Sequence, residues 1–259
     1  MKNLVIIPTY NEKENILNIL SAVLQLEMNF DILVVDDGSP DGTADIVKEV
    51  MAKNKGQVHI LERKGKLGLG TAYIAGFEWG IQNNYDYIFE MDADFSHNPK
   101  DLVRLANELH TGKGDVAVGS RYVKGGAVKN WAFDRLALSF GASIYVRLIT
   151  WMNVKDPTAG FVGYSAKVLK SINLEKIRFV GYAFQIEMKF ASRSLGWKIV
   201  EVPITFIDRE LGTSKMNSSI ISEAVIGVLQ MKLKSFSNSY ASVASAPKNS
   251  GKQKLETRN

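Results

Sequence analysis

The chain of 259 residues is 46% hydrophobic, carries a formal net charge of +5 and contains no cysteine. Its length and apolar content allow one domain with a sizeable core, and the lack of cysteine excludes disulfides and thiolate metal sites. The positive charge indicates an anionic partner, such as a phosphate ligand, a membrane surface or a nucleic acid, without choosing among them.

Strand and helix patterns alternate through the first half of the chain. Short β-branched or apolar runs predict strands, and the longer segments between them predict helices. In chain order, the predictions are a strand at 4–7, a helix at 11–24, a strand at 32–35, a helix from 41 or 43 to about 53, a strand at 58–61, a helix at 70–82, a strand at 87–91, a helix at 99–110 and a strand at 116–118. This order predicts an α/β fold with right-handed crossovers and a mostly parallel sheet flanked by helices.

Polar segments follow four of the predicted strands at the point where each strand ends. They are Pro8-Thr-Tyr-Asn-Glu12, Asp36-Asp37, Asp92-Ala-Asp94 and Gly119-Ser-Arg-Tyr122. The carboxyl ends of parallel strands meet at one edge of the sheet, and open α/β sheets bind their ligands there. Solvated acids at loop starts would explain any one segment but explain four together poorly. We therefore predict a ligand site at this edge.

Two carboxylates one residue apart, Asp92 and Asp94, follow a strand that is predicted to be buried. Like charges repel at this spacing, and Mg²⁺ typically takes one or two carboxylates together with substrate phosphates. A cation bound to a diphosphate-bearing substrate would relieve the repulsion. Ser96 and His97 follow closely and could add a ligand, although an ordinary loop position is favoured for His97.

Gly68 and Gly70 lack the third glycine and the acidic residue of a dinucleotide fingerprint. We therefore expect these glycines to permit a tight turn beside the ligand. The neighbouring Lys64 and Lys66 are candidates for a phosphate contact.

Several motifs, taken in order, resemble the signature of the family 2 glycosyltransferases of the GT-A fold. They are Val5-Ile-Ile-Pro-Thr-Tyr-Asn-Glu12, Val34-Val-Asp-Asp-Gly-Ser-Pro-Asp-Gly-Thr43, Gly68-Leu-Gly-Thr-Ala72, Met91-Asp-Ala-Asp-Phe-Ser-His-Asn-Pro99 and Gly119-Ser-Arg-Tyr122. Within that family the chain most resembles the dolichol-phosphate (polyprenol-phosphate) mannosyltransferases. The resemblance implies one GT-A (Rossmann-like) domain over residues 1–235, which ends in an amphipathic helix at about 220–233. Residues 236–259 lie outside it and are predicted to be a disordered polar tail.

The resemblance also implies roles for individual residues. The donor nucleotide-sugar would contact Pro8, Tyr10, Glu12, Val35, Asp36, Asp37, Asp92, Ala93, Asp94, Arg209 and Lys215. Asp92 and Asp94 would hold Mg²⁺ or Mn²⁺ on its diphosphate, and Arg209 and Lys215 lie in a segment that would close over the diphosphate as a lid. The acceptor phosphate would bind Arg121, Arg135 and Ser139. Asp156 is treated as a positioning residue beside the donor sugar.

The implied activity is inverting transfer of mannose from GDP-mannose to a polyprenyl phosphate, which gives a β-linked product. A phosphate monoester is already largely ionised at neutral pH, so we expect no general base. One alternative keeps the fold and uses UDP-glucose or another UDP-sugar. Another is a non-catalytic nucleotide-binding module, against which the presence of Asp92, Asp94, Arg209 and Lys215 argues.

A membrane contact is expected because the implied acceptor is a lipid. No stretch approaches the roughly 18 apolar residues of a spanning helix, so we expect a peripheral enzyme at the cytoplasmic face of a membrane. Residues 136–152, with Arg147 and Trp151, are one candidate contact. Residues 220–233 are another, although a core position is favoured for them. A membrane-anchored partner subunit is left open. Nucleic acid is not expected, since no basic stripe with interleaved aromatic residues occurs.

Overall fold

The computed structural model of the chain describes residues 1–181, 183–208, 226–233 and 240–242. Its strands are β1 (Asn3–Thr9), β2 (Asp31–Asp36), β3 (Val58–Glu62), β4 (Tyr87–Glu90), β5 (Val116–Ser120), β6 (Ala127–Lys129), β7 (Val162–Ser165), β8 (Ile199–Pro203) and β9 (Thr205–Ile207). Its α-helices are α1 (Ile16–Leu24), α2 (Thr43–Lys53), α3 (Leu69–Gln82), α4 (Asp101–His110), α5 (Phe133–Thr150), α6 (Ala166–Ser171) and α7 (Ala183–Ser194). A 3₁₀ helix covers Leu174–Lys176.

Seven strands form the main sheet in the order β3-β2-β1-β4-β7-β5-β8. Six of them run parallel within two groups, β3-β2-β1-β4 and β5-β8, while β7 lies antiparallel between β4 and β5. A second sheet pairs β6 with β9. The predicted mostly parallel α/β fold is confirmed. The antiparallel β7 was not predicted, because Val-Gly-Tyr-Ser is too short to show a strand period.

The order of the strands creates a switch point between β1 and β4. The chain first adds β2 and β3 on one side of β1 and then returns to add β4 on the other side. Crevices outside the carboxyl ends of strands at such a point are the usual ligand sites of open α/β sheets. Thr9 ends β1 and Glu90 ends β4, so the residues that follow them face the same crevice.

Both faces of the sheet are buried, which explains the nearly continuous apolar runs of its strands. Val5 and Ile7 of β1 belong to one core cluster, together with residues of α1 and α4. Leu4 and Ile6 point the other way into a second cluster, built with residues of α3 and α7. This layered packing fixes where each strand ends, and therefore where the loops of the crevice begin.

The predicted start of the first helix at Asn11 is wrong. Asn11 has a left-handed φ of 60°, and α1 begins only at Ile16. The carbonyl of Glu12 accepts hydrogen bonds from the backbone N–H groups of Asn15 and Ile16 at 3.0 and 2.9 Å. A turn therefore precedes the helix and leaves Tyr10 and Glu12 in the crevice loop. Similarly, α4 begins two residues after Pro99, which lies in the turn before it.

The predicted C-terminal amphipathic helix at 220–233 lies partly outside the described residues. Residues 226–233 are helical, and Val228 and Met231 pack in a third cluster with Val146 of α5 and Phe190 of α7. Among the helices that the structure describes, none is long and apolar enough to cross a membrane.

Residues 240–242 fall within the segment 236–259 for which disorder was predicted. Tyr240 donates through its hydroxyl to Glu187 at 3.1 Å, and its carbonyl accepts from the N–H of Asn173 at 2.8 Å. The N–H of Ser242 donates to the carbonyl of Ser171 at 2.8 Å. This short stretch therefore lies against the core rather than apart from it.

Candidate active site

The end of β2 carries two buried acids, and the first of them fastens a loop. Asp36 accepts hydrogen bonds from the hydroxyls of Thr9 at 2.8 Å and Ser39 at 2.6 Å, and from the N–H of Ser39 at 2.9 Å. These bonds join the loop after β2 to the neighbouring strand β1. Asp36 was predicted to contact the donor nucleotide-sugar, and in the structure its carboxylate holds the loop that forms the crevice wall.

The second acid, Asp37, pairs with an arginine that the sequence analysis missed. Arg63 follows β3 and donates from Nε to Asp37 Oδ1 at 2.6 Å and from Nη1 to Thr71 Oγ1 at 2.8 Å. The side chains of Arg63 and Asp37 are only 10% and 9% exposed. Arg63 sits at the end of a parallel strand, the same signal that identified the acids. The lysines considered instead, Lys64 and Lys66, are exposed.

Gly68 and Gly70, beside this pair, are each required to be glycine for a different structural reason. Gly68 precedes α3 with a φ of 101°, a conformation that favours glycine. A Cβ on Gly70 would lie 2.8 Å from the carbonyl oxygen of Phe179 and from the ring of Phe184, so a larger residue does not fit. Gly68 thus adopts a backbone conformation that needs glycine, whereas Gly70 serves close packing.

The other residues predicted to contact the donor nucleotide-sugar differ in how far they are buried. Pro8, Tyr10 and Glu12 are partly exposed along the crevice, and Lys66 Nζ lies 5.1 Å from the centroid of the Tyr10 ring. Val35 is completely buried in the core, and Ala93 is 4% exposed. A ligand would therefore meet Val35 and Ala93 mainly through their backbone.

The predicted metal-binding acids stand directly after β4. Asp92 Oδ1 accepts a long hydrogen bond of 3.4 Å from the hydroxyl of Tyr73, and Asp94 Oδ1 accepts one of 3.0 Å from the N–H of Ser96. Burial, together with the nearby charges of Asp92, Glu90 and Asp94, raises the pKa of Tyr73 well above its ordinary value. Tyr73 therefore stays protonated and orients Asp92 as a donor.

His97 lies in the loop after β4 and is buried there. It is 3% exposed, and its ring stacks on Phe161 with centroids 4.9 Å apart. Its Nδ1 lies 3.9 Å from Asp92 Oδ2. Burial lowers the pKa of His97 to about 4, so the ring is neutral at neutral pH and adds no charge to the acid pair.

The donor set fits a divalent cation that is shared with a substrate. In the described part of the chain, no group of three or more His, Cys, Asp or Glu side chains could hold a metal ion. Asp92, whose side chain is 39% exposed, and Asp94, which is also partly exposed, offer hard oxygen donors. Two carboxylates completed by phosphate oxygens are a usual arrangement for Mg²⁺.

A buried ion pair lies after β5. Arg121 donates from Nε and Nη2 to the two oxygens of Asp156, both at 2.7 Å, and its backbone N–H donates to Asp156 at 3.0 Å. Thr158 Oγ1 accepts a further bond from Nη2 at 2.9 Å. Burial alone would raise the pKa of Asp156, but the hydrogen bonds and charge of Arg121 outweigh it and lower that pKa. Asp156 thus fixes the position of Arg121.

The structure gathers the three residues predicted to bind the acceptor phosphate. The guanidinium carbons of Arg121 and Arg135 lie 5.6 and 4.2 Å from the centroid of the Trp131 ring. Ser139 Oγ accepts a 2.8 Å hydrogen bond from the hydroxyl of Tyr122, whose ring lies 5.1 Å from Arg121. Arg135 also donates to Asp208 at 2.6 Å. Two arginines and a hydroxyl thus lie around two aromatic rings; guanidinium groups suit phosphate oxygens, and Asp156 and Asp208 offset their charge here.

The two predicted lid residues, Arg209 and Lys215, lie outside the described residues. Asp208, the partner of Arg135, directly precedes Arg209 in the chain.

A buried polar layer, which the sequence analysis missed, lies behind Asp92. Lys189 of α7 is completely buried and donates to the carbonyl of Ala159 at 2.6 Å and to that of Gln185 at 3.0 Å. It thereby holds the loop that contains Asp156 and Thr158. Glu90 is also completely buried, and its two carboxylate oxygens accept no hydrogen bond in the described part of the structure. Charged residues on the buried side of a helix do not follow the apolar pattern that predicts burial, which is why this layer was missed.

Glu90→Gln is expected to stabilise the fold at pH 8 and to change it less at pH 5. Burial raises the pKa of Glu90 to about 8, against the opposing charge of Lys189. Between its ordinary pKa near 4.5 and 8, the folded state holds a proton that the unfolded state has lost, so stability falls as pH rises. Glutamine removes this loss. The check is the midpoint of thermal unfolding of both proteins across that range. A larger benefit at pH 5 than at pH 8 would contradict the prediction.

The fold and the site together combine an open α/β sheet, an acid pair at its switch point and a group of arginine and aromatic side chains beside it. Residues 4–172 match the profile of Glycosyl transferase family 2. The chain belongs to this family.

Two relatives cover most of the chain. It is 46% identical over 229 residues to the polyprenol monophosphomannose synthase of Mycolicibacterium smegmatis, which covers 88% of this chain and 86% of that protein. It is also 46% identical over 233 residues to the undecaprenyl-phosphate mannosyltransferase of Micrococcus luteus, with coverage of 90% and 95%.

Solved structures support the fold. A glucosyl-3-phosphoglycerate synthase from Mycobacterium tuberculosis, in complex with Mn²⁺, UDP and phosphoglyceric acid, superposes with a TM-score of 0.63 at 18% identity, over 89% of this chain and 78% of that one. A mannosyltransferase from Pyrobaculum calidifontis in complex with GDP-Man and Mn²⁺ gives 0.57 at 15% identity, over 93% and 66%. Both are glycosyltransferases, and the expected GT-A fold is confirmed.

Proposed function

We propose that the protein is an inverting glycosyltransferase that transfers mannose from GDP-mannose to a polyprenyl phosphate. The observation that carries the proposal is the grouping of Arg121, Arg135 and Ser139, since it offers a second phosphate site beside the one for a donor diphosphate. His97 links this group to the acid pair, because its ring and Arg121 both contact Phe206 and its Nδ1 lies 3.9 Å from Asp92. The names of the two 46% identical relatives, a polyprenol monophosphomannose synthase and an undecaprenyl-phosphate mannosyltransferase, support the same acceptor class.

The donor would lie along the crevice from β2 to β4. Its nucleoside would meet the loop residues Tyr10 and Glu12 and the wall that Asp37 and Arg63 hold in place. Asp92 and Asp94 would hold Mg²⁺ or Mn²⁺ on the diphosphate, where the cation offsets the charge of the leaving group. The Mn²⁺ of the two solved glycosyltransferases supports a divalent cation. Arg209 and Lys215 are proposed to close over the diphosphate.

The reaction needs no protein base. An ionised oxygen of the acceptor phosphate attacks the anomeric carbon, and the bond from that carbon to the diphosphate oxygen breaks, with its electron pair leaving on GDP. Attack from the side opposite the leaving group inverts the α linkage to β. Arg121 and Arg135 hold and orient the acceptor for this attack. Asp156 acts through Arg121, because both of its oxygens accept from that side chain.

The acceptor lipid resides in a membrane, and we propose that the enzyme works peripherally at the cytoplasmic face. A membrane-anchored partner subunit would be an additional means of recruitment. No nucleic acid takes part.

The proposal is tested by incubating the protein with radiolabelled GDP-mannose or UDP-glucose, polyprenyl phosphate and Mg²⁺, followed by lipid extraction. Label in the lipid from GDP-mannose alone is the expected result. Label from UDP-glucose alone would show that the donor is UDP-glucose and that the acceptor is still polyprenyl phosphate. Label from neither donor would overturn the proposed function.

The rate of transfer is expected to rise with pH and to level off above the second pKa of the acceptor phosphate, near 6. Because the ionising group belongs to the substrate, Asp156→Asn should lower the rate yet keep the same pH profile. The measurement is the single-turnover rate from pH 5 to 8, below the unfolding temperature of both proteins. A profile that changes with this substitution, with a loss of about 10²–10⁴-fold, would instead identify Asp156 as a base.

A further inference from the structure

Helix α5 leaves its most apolar stripe uncovered. Phe133, Phe140, Ile144, Leu148 and Trp151, at the end of the helix, are 83%, 48%, 41%, 68% and 73% exposed. Their spacing of seven, four, four and three residues puts them on one side of the helix.

The residues of α5 that are buried instead are Ser143, Val146 and Thr150. Two of these three carry a hydroxyl, so the ordinary arrangement of a surface helix is reversed. A contiguous exposed apolar patch of this kind marks an interaction surface.

The helical segment 226–233 extends the stripe. Ile226, Leu229 and Leu233 are 56%, 42% and 69% exposed, while Val228 and Met231 pack inward against α5. Lys232 Nζ lies 4.1 Å from the centroid of the Trp151 ring, which places the two stripes side by side. We call the exposed apolar residues of α5 and of this segment, with Trp151, the outer face.

Basic groups and a groove border the outer face. Ile144, Arg147, Leu148 and Trp151 line a groove of about 360 Å³ together with Met152 and Asn153. Trp151 has a φ of 58° at the end of α5, a conformation that is strained for a bulky residue. The backbone therefore does not favour tryptophan here, and the position turns the indole outward beside Arg147 and Lys232.

We infer that the outer face docks the protein on an anionic lipid bilayer; this inference rests on the proposed function for its lipid acceptor. Apolar and aromatic side chains bordered by cations suit the interface of a membrane that contains anionic lipids. A second copy of the chain fits less well, because it would bring Arg147 and Lys232 of both copies into one contact.

The docking places the bilayer next to the acceptor group. Arg135 and Ser139 lie on the same helix but make their contacts inward, with Asp208 and Tyr122. Helix α5 therefore presents the outer face to the membrane on one side and these acceptor-group residues on the other. A lipid phosphate would reach Arg135 around this helix while its chain stays in the bilayer.

The test is flotation with vesicles of phosphatidylcholine alone or mixed with phosphatidylglycerol. The variant carries Leu148→Glu and Trp151→Glu, and the matched control is Leu17→Glu on α1, where Leu17 is 50% exposed. The unmodified protein and the control should bind the anionic vesicles, and the variant should bind at least about tenfold less, since binding scales with buried apolar area and charge attraction. Circular dichroism confirms that all three are folded.

Equal binding by the variant, or no binding by the unmodified protein, would overturn the inference. So would a dimer, seen by light scattering, that the variant loses. Transfer assays distinguish a failure of this inference from a failure of the proposed function. With a short water-soluble polyprenyl phosphate the variant should transfer mannose as fast as the unmodified protein, and with a long acceptor in vesicles it should be slower. Vesicle binding through the outer face without transfer to either acceptor would leave the inference standing and reject the proposed function.

Discussion

Replacing Asp92 or Asp94 by Asn is expected to lower transfer by at least about a hundredfold, the scale on which a lost electrostatic contact to the developing charge acts. Both side chains are partly exposed and lie in the loop after β4, so the fold should keep its unfolding temperature. An amide retains the size of the carboxylate but loses the charge that holds a divalent cation. The measurement is the initial rate at saturating donor and acceptor, with thermal unfolding recorded for each variant.

The control is Asp45→Asn, an exposed acid in the first turn of α2, which should leave the rate unchanged. Activity should also disappear with a chelator and return when Mg²⁺ or Mn²⁺ is added. Full activity in EDTA, or in either variant, would reject the assignment of a metal to this pair.

Arg121→Ala is expected to destabilise the fold by about 3–5 kcal/mol, the cost of leaving one partner of a buried ion pair alone. Asp156 is completely buried and would lose its main source of hydrogen bonds. The matched control is Arg104→Ala, which removes one partner of an ion pair with Asp101 from a side chain that is 47% exposed. That change should cost about 1 kcal/mol or less. Urea unfolding of both variants gives the comparison.

A double variant separates stability from function at this pair. Arg121→Met with Asp156→Leu removes both charges and should recover most of the lost stability, because an apolar pair can replace a buried ion pair. Use of the lipid phosphate should remain impaired, with GDP binding preserved. If the acceptor KM returned to normal in the double variant, Arg121 would have no role in binding the phosphate.

The same pair predicts the acid side of the stability curve. The pKa of Asp156 is lowered in the folded protein, so its contribution is complete above the ordinary carboxyl pKa of 3.8 and is lost as pH falls below it. The difference in free energy of unfolding between the Arg121→Ala variant and the unmodified protein should therefore become smaller as the pH drops through this range. If this difference did not change with pH, the destabilisation would not come from the charge of Asp156.

Much of the fold and of the crevice could be predicted because both depend on short-range patterns. Apolar runs followed by polar residues mark the ends of parallel strands, and those ends must share an edge. That reasoning reached Asp37, Asp92 and Arg121, which the structure places in the loops that follow β2, β4 and β5.

The features that were missed depend on distant contacts. Residues Ala183–Ser192 of α7 are all buried, although they include Gln185, Glu187 and Lys189. A sequence read for amphipathic faces treats such residues as surface, because the groups that make their burial tolerable are distant in the chain. Lys189 donates to the carbonyl of Ala159, and Glu187 accepts from the hydroxyl of Tyr240. The turn before α1 was missed for a similar reason: Asn11 donates to Ser39 from the next loop.

The insertion of β7 between β4 and β5 has a consequence for how the chain acquires its structure. Strands β1 to β4 pair using only the first 90 residues, but β4 receives its other neighbour from Val162–Ser165. Closing that long loop is slow relative to local pairing. During synthesis, β4 therefore presents an unpaired apolar edge until residue 165 has emerged, and such edges promote aggregation. Fragments that end before β7 should precipitate, whereas longer ones should stay in solution.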